Sequence, residues 1–171
     1  MPHISPAAAG GANVCAFLDM LAVSELGAPQ LADSDDGYNV IVGSTASRPL
    51  RMSGYADHPR RLVSLPKLGI KSTAAGRYQI LARYYDAYRV QLKLPDFGPQ
   101  SQDRIALQLI RECQALSDIQ RGDIATAIAK CRSRWASLPG AGYGQHEHTL
   151  QHLLAAYRAA GGSLASAGSA A

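Results

Sequence analysis

Glutamate is scarce in this sequence, and Glu25 stands apart from Glu112 and Glu147. It closes an apolar run, with Val23 before it and Leu26 after it. A carboxyl at the margin of a core is costly to ionise, so it holds its proton nearer neutrality. A general acid for glycosidic cleavage needs that property. The competing reading is a helix-end glutamate turned to water, the usual place for this residue type. A glycosidase commonly adds a second carboxylate, as nucleophile or as base for water. Asp33, Asp35 and Asp36 follow Glu25 in a turn-rich run. Turn-forming aspartate explains them equally well.

Other residues could bind rather than react. Ser72 to Gln79 reads as the opening of a long helix, with Ser72 or Thr73 as its cap and Gly76 allowing close approach. Tyr78 and Gln79 offer polar groups near that start. A capped helix packed on a sheet is the plainer alternative. Leu138 to Gly144 is a glycine-rich loop without lysine, so it is no phosphate loop. It can present Tyr143 for stacking on a sugar face, or be a surface turn. His146, His148 and His152 are close in sequence but lack the His-Glu-x-x-His order of a zinc protease, and no metal or other cofactor is expected. Ser24 beside Glu25 lacks the glycines of a nucleophile elbow.

These side chains need elements to hold them. Phe17, Leu18, Leu21 and Ala22 share one face of a helix predicted from Asn13, its cap, to about Glu25. Tyr38 to Val42 is β-branched and aromatic, closed by Gly43, and reads as a strand in a small β-rich lobe. From Thr73 the helical period returns through Tyr78, Leu81, Tyr85, Tyr88 and Leu92. Pro99 opens a further helix. Asp123 caps another, from Ile124 to about Trp135. A last helix is predicted from about Glu147 to Ala160, stopped by Gly161-Gly162. One helix, a small sheet, then a run of helices is an α+β pattern.

The chain has 171 residues, enough for one domain of two lobes with a real core. Residues 13–161 form the folded body, between tails at 1–12 and 162–171 that read as flexible. Hydrophobic residues make up 47% and charged residues 18%, which excludes a disordered chain. No apolar run is long enough to span a membrane. The first residues lack the pattern of a secretory signal. Cys15, Cys113 and Cys131 read as small apolar core residues of a protein folded in a reducing cytoplasm. The net charge of +4 favours anionic partners such as a cell-wall polymer. The basic residues form no stripe and no nucleic-acid motif, so nucleic acid is not an expected partner.

With these residues in hand, the chain resembles the phage lambda endolysin family of peptidoglycan lytic transglycosylases. The resemblance rests on collinear blocks over about residues 15–163. They include Ala16 to Ala22 with Ser24-Glu25, Gly37-Tyr38, Val40 to Gly43, Asp57 to Arg60, and Lys71 to Thr73 with Ala75 to Gln79. Asp86 to Arg89, Ser101 to Asp103, Arg121 to Ile124, Trp135 to Gln145 and Glu147-His148 continue it. The pattern departs at Val23 and Tyr84-Tyr85, where tryptophans are expected, and at Leu26-Gly27, where Gly-Thr is expected.

The resemblance implies a lysozyme-like fold, with a helical lobe, a small β lobe and an intervening cleft. It implies cleavage of the β-1,4 bond between N-acetylmuramic acid and N-acetylglucosamine, giving a 1,6-anhydro end. The family's catalytic glutamate falls on Glu25. Thr73, Tyr78, Gln79 and Tyr143 fall in blocks that would bind substrate. The implied protein is a monomer without a cofactor. It would wait in the host cytoplasm and reach the periplasm and wall through a separate membrane-permeabilising holin. A hydrolytic muramidase on the same fold, or a non-catalytic peptidoglycan-binding domain, are the alternatives.

Overall fold

The computed structural model describes residues 1–144 and 146–165. The chain divides into two compact units, Met1–Ser24 with Leu107 onward, and Glu25–Ala106.

The first unit is helical. Helix α1, Pro6–Ala9, occupies the segment expected as an N-terminal tail. Ser5 caps it by accepting from the Ala8 amide, Pro6 fits its first turn, and left-handed Gly10 closes it. Helix α2 spans Ala12–Leu26, and every residue from Val14 to Ala22 is buried. A helix buried on all sides is a core helix. Asn13 is not its cap, in contrast to the sequence reading. Its amide accepts from the Ser163 N–H at 3.0 Å and donates to the Gln120 carbonyl at 3.3 Å.

Helix α6, Leu116–Arg121, stops at left-handed Gly122, and α7, Ile124–Cys131, begins as predicted at Asp123, whose carboxylate accepts from the Thr126 amide. The last helix, α8, spans Leu150–Ala159 and is capped by Thr149. It begins later than the sequence suggests. Phe17, Leu18, Ile110, Ile119, Ile128 and Tyr157 are all buried in this unit. Residues 163–165, expected as the start of a C-terminal tail, are tied down. The Ala165 amide donates to the Gly122 carbonyl at 3.1 Å, and a Cβ at Gly122 would lie 2.5 Å from the Ala165 nitrogen. The rest of the expected tail, 166–171, lies outside the described residues. Cys15 and Cys131 are buried as expected, but Cys113 is half-buried and is not a core residue. A hydrogen bond with Cys131 and the Arg134 guanidinium hold its thiol below the usual range.

The second unit has little regular sheet. Helix α3, Ala28–Ala32, leads into turns. Tyr38 to Val42 is not the predicted strand. It pairs only through single bridges, Val40 to Arg51 and Ile41 to Ala75. Left-handed Asp36 and Gly37 before it, and Gly43 after it, leave no room for a ladder. The ladder is instead β1, Val63–Leu65, antiparallel to β2, Ile70–Ser72. A 3₁₀ turn at Pro66–Leu68 and left-handed Gly69 join them.

Helix α4 spans Ala82–Gln91 and does not begin at Thr73. Gly76 (φ 79°) and Gln79 (φ 49°) turn the chain back, and Ala75 and Ile80 exchange backbone hydrogen bonds of 3.0 and 2.8 Å. Apolar spacing that looks helical therefore crosses a turn. Helix α5, Pro99–Glu112, opens on its proline as predicted, and Asp96 accepts from the Gly98 amide and the Ser101 hydroxyl there. The arrangement is α+β, with the site's residues carried by helix ends and turns.

Candidate active site

Glu25 stands in the last turn of α2 and is half-buried. Gly27 follows with φ 76°, which ends the helix and lets Pro29 enter α3. The local sequence therefore places one carboxyl at a helix end, just past the buried stretch that fixes α2. The residue before it, Ser24, is held within the first unit. Its hydroxyl lies 2.7 Å from that of Ser137, and its carbonyl accepts from His148 Nε2 at 3.1 Å.

The three aspartates weighed as a second carboxylate each have a partner. Asp33 lies 3.7 Å from the Arg51 guanidinium. Asp35 accepts a short hydrogen bond from the Tyr55 hydroxyl. Asp36 is paired at 2.6 Å with Arg77, whose side chain is almost fully buried. Burial and the neighbouring Asp35 push the Tyr55 hydroxyl above its ordinary range, so that proton stays on tyrosine.

The predicted binding residues divide. Thr73 is half-buried, and its hydroxyl oxygen accepts from the Ala82 amide at 3.1 Å, so it caps α4 from outside the helix. Gln79 is half-buried in the turn, donating to the Gly76 carbonyl at 2.9 Å. Tyr78 is a correction. It is only 1% exposed, and its hydroxyl donates to Asp103 at 2.7 Å. Tyr38 donates to the same carboxylate at 2.7 Å. Tyr78 thus ties the turn to Asp103, with its hydroxyl already engaged. Beside it, a Cβ on Gly76 would lie 2.1 Å from Gln102 Oε1, which shows that a protein amide takes the space that the sequence left open to a ligand. Tyr143, in the first unit, is 57% exposed, with its hydroxyl donating to the Ser133 carbonyl at 3.1 Å.

The sequence reading missed a hollow in the second unit. It encloses about 470 Å³ and is lined by Ile41, Arg51, Met52, Tyr55, Asp57 and Arg61, among others. Asp33 and Asp35 hold two of these lining residues, Arg51 and Tyr55. The only sequence signal was the dense run of turn residues around Ser53-Gly54.

His148 stacks on His152 with ring centroids 4.8 Å apart, and His146 meets His148 edge-on at 4.9 Å. Among the described residues no group of histidine, cysteine, aspartate and glutamate could hold a metal ion. No helix of the described residues is long and apolar enough to cross a membrane.

Comparison with known proteins places this geometry. The endolysin family profile matches residues 15–164. The endolysin of Escherichia phage P2 is 53% identical over 154 residues, covering 88% of this chain and 93% of the relative. The endolysin of Escherichia phage lambda is 54% identical over 151 residues, covering 87% and 91%. Bacteriophage lambda lysozyme complexed with a chitohexasaccharide superposes with a TM-score of 0.83 at 49% identity, over 96% of this chain and 99% of that one. A second structure of lysozyme from bacteriophage lambda gives 0.79 with the same coverage. The α+β fold is therefore lysozyme-like, and the chain belongs to the endolysin family as a lysozyme-type enzyme.

Proposed function

We propose that the chain is a peptidoglycan lytic transglycosylase that breaks the β-1,4 bond between N-acetylmuramic acid and N-acetylglucosamine, with residues 13–161 as the catalytic domain. The observation that carries this reading is one half-buried glutamate at the end of a buried helix, while each of the three aspartates that follow it has a partner of its own. Glu25 closes α2, while Asp33, Asp35 and Asp36 hold Arg51, Tyr55 and Arg77. A hydrolase that needed one of them as base would have to free it from its partner.

The chemistry then runs through Glu25 alone. Its carboxyl gives a proton to the bridging oxygen as the bond from that oxygen to the anomeric carbon breaks. The C6 hydroxyl of the same muramic acid forms a new bond to that carbon. Its proton passes to the Glu25 carboxylate, restoring the acid. No water is consumed. The substrate's own N-acetyl group stabilises the oxocarbenium-like centre. Thr73, Gln79 and Tyr143 bind the glycan, and Tyr78 acts only through the turn that carries Gln79. The chitohexasaccharide bound to lambda lysozyme supports a glycan as the ligand class. The enzyme works as a monomer, waits in the host cytoplasm, and depends on a holin to reach the periplasm and wall.

The test is mass spectrometry of muropeptides released from purified peptidoglycan by the wild type and by Glu25→Gln. The wild type gives anhydro products, each lighter by one water than its hydrolytic counterpart. Glu25→Gln slows release by roughly a thousandfold without lowering the melting temperature. Reducing-end products would establish the hydrolytic muramidase instead. Binding without release would establish an attachment domain.

A further inference from the structure

The glycine-rich loop in the first unit is held by a carboxylate. Glu147 accepts from the Gly140 amide at 2.7 Å through one oxygen and from the Gly142 amide at 2.7 Å through the other. Alternate amides converge on one anion because Gly140 and Gly142 both have φ near 75°. Such a left-handed backbone builds an anion-binding concavity, which here is filled from within the chain. Around it, the Ala141 amide donates to the Leu138 carbonyl at 3.2 Å, and the His148 amide closes the loop onto the Ser137 carbonyl at 3.0 Å. Next to the second anchored amide, Tyr143 stands 57% exposed. The loop amides in turn hold the Glu147 carboxyl below its usual range. A segment with three left-handed glycines has little conformational preference of its own, so an external anchor decides its shape.

We propose that Glu147 is a positioning residue, whose carboxylate bridges the Gly140 and Gly142 amides and fixes the loop in the form that presents the Tyr143 ring to the glycan. This rests on the reading of Tyr143 as a glycan-binding residue. Glu147 touches neither the scissile bond nor Glu25's proton. It lowers the cost of ordering the loop when substrate binds, so its removal weakens binding and leaves the chemical step intact.

The test uses the full chain with Glu147→Gln and Glu147→Ala. Glu147→Gln keeps one acceptor oxygen and serves as the graded control. Amide exchange at Gly140 and Gly142, followed by NMR without ligand, reads the latch itself. Chitohexaose titration in a Glu25→Gln background reads its use in binding. For Glu147→Ala, both amides exchange faster, and chitohexaose affinity falls by roughly tenfold, as expected for loss of two charge-assisted hydrogen bonds. Glu147→Gln lies between. Tyr143→Ala weakens binding on its own, and adding it to Glu147→Ala weakens binding little further. In the cleaving enzyme KM rises and kcat stays. Unchanged amide exchange in Glu147→Ala, faster exchange with unchanged chitohexaose affinity, or a fall in kcat at constant KM would each overturn the proposal. A wild type that released no muropeptides would defeat the transglycosylase reading alone, and the exchange and titration would still decide Glu147.

Discussion

The two units solve the same packing problem with different materials. The first fills its interior with Phe17, Leu18, Leu21, Ile110, Ile119 and Ile128. The second adds to apolar residues such as Ile80 and Phe97 a buried polar set, Tyr38, Tyr78, Arg77, Gln102 and Asp103. Asp103 accepts two tyrosine hydroxyls at 2.7 Å. Gln102 donates to the Tyr38 and Phe97 carbonyls at 3.0 and 2.8 Å, and accepts from the Arg77 amide at 2.9 Å. The aliphatic interior tolerates changes of shape if volume is kept. The polar interior is less tolerant, because a donor or acceptor stranded there bears its desolvation cost. What the polar core secures is loop geometry. Its members bind backbone groups and side chains of segments that have almost no ladder of their own.

The largest effect should come from breaking this contrast at Asp103. Asp103→Leu strands two buried hydroxyls and should cost about 3–5 kcal/mol in denaturant unfolding. A cost near that of an exposed substitution would mean that the network is idle. Leu18→Ala in the first unit should cost about 3 kcal/mol through its cavity, whereas Leu18→Met should cost less than about 1.5 kcal/mol. A smaller effect, near 1 kcal/mol, is expected for Tyr78→Phe, which removes one hydroxyl from the network. Chitohexaose affinity should stay unchanged in that variant. A loss of affinity without a loss of stability would restore Tyr78 as a ligand-binding residue.

The smallest effect concerns histidine titration, which sharpens the comparison between units. His58 is 3% exposed in the second unit. Its Nε2 donates to the Ile80 carbonyl at 2.9 Å, and its Nδ1 accepts from the Arg60 amide at 3.0 Å, which fixes a neutral ring. Burial lowers its pKa below 6.5, with Arg60 adding to the shift and the Ile80 carbonyl, Asp57 and Asp86 opposing it. The unfolded chain therefore takes up the proton first. Stability is full above pH 6.5 and declines as pH falls through 6.5 toward the folded value. His148, in the first unit, is shifted in the same direction, by burial first and then by His152. It is only half-buried, so its share of the slope should be smaller. Unfolding of His58→Gln and His148→Gln between about pH 7 and 5.5 separates the two contributions. A slope that survives both changes would assign the pH dependence elsewhere.

Helices α2, α5 and α7 were legible because their signals are local. Asp123 caps α7 through its own carboxylate, and the stretch from Phe17 to Ala22 is apolar enough to be a helix anywhere. Pro99 at the start of α5 is equally self-contained. The second unit resisted because its order comes from pairs distant in sequence. Tyr38 is β-prone, but its position is set by Asp103, 65 residues on. The run from Tyr78 to Leu92 keeps a helical period, yet Gly76 and Gln79 impose a turn before the helix begins. The real hairpin escaped notice because each strand has only three residues and Ile70 is exposed, so the alternation in β1 is not repeated in β2. The type and place of Glu25 make it a candidate acid, and the resemblance to the family adds the catalytic role proposed for it. The engagement of Asp33, Asp35 and Asp36 with Arg51, Tyr55 and Arg77 could not be found, since no spacing in the sequence announces those partners.

The backbone contact between Gly122 and residues 163–165 also bears on how this enzyme can be re-engineered. A truncation that stops at Gly162 deletes the partner of Asn13 and opens the notch beside the α6–α7 turn. A wall-targeting module grafted after Ala165 leaves that strap in place, so the safe grafting point lies beyond it and not at the end of α8.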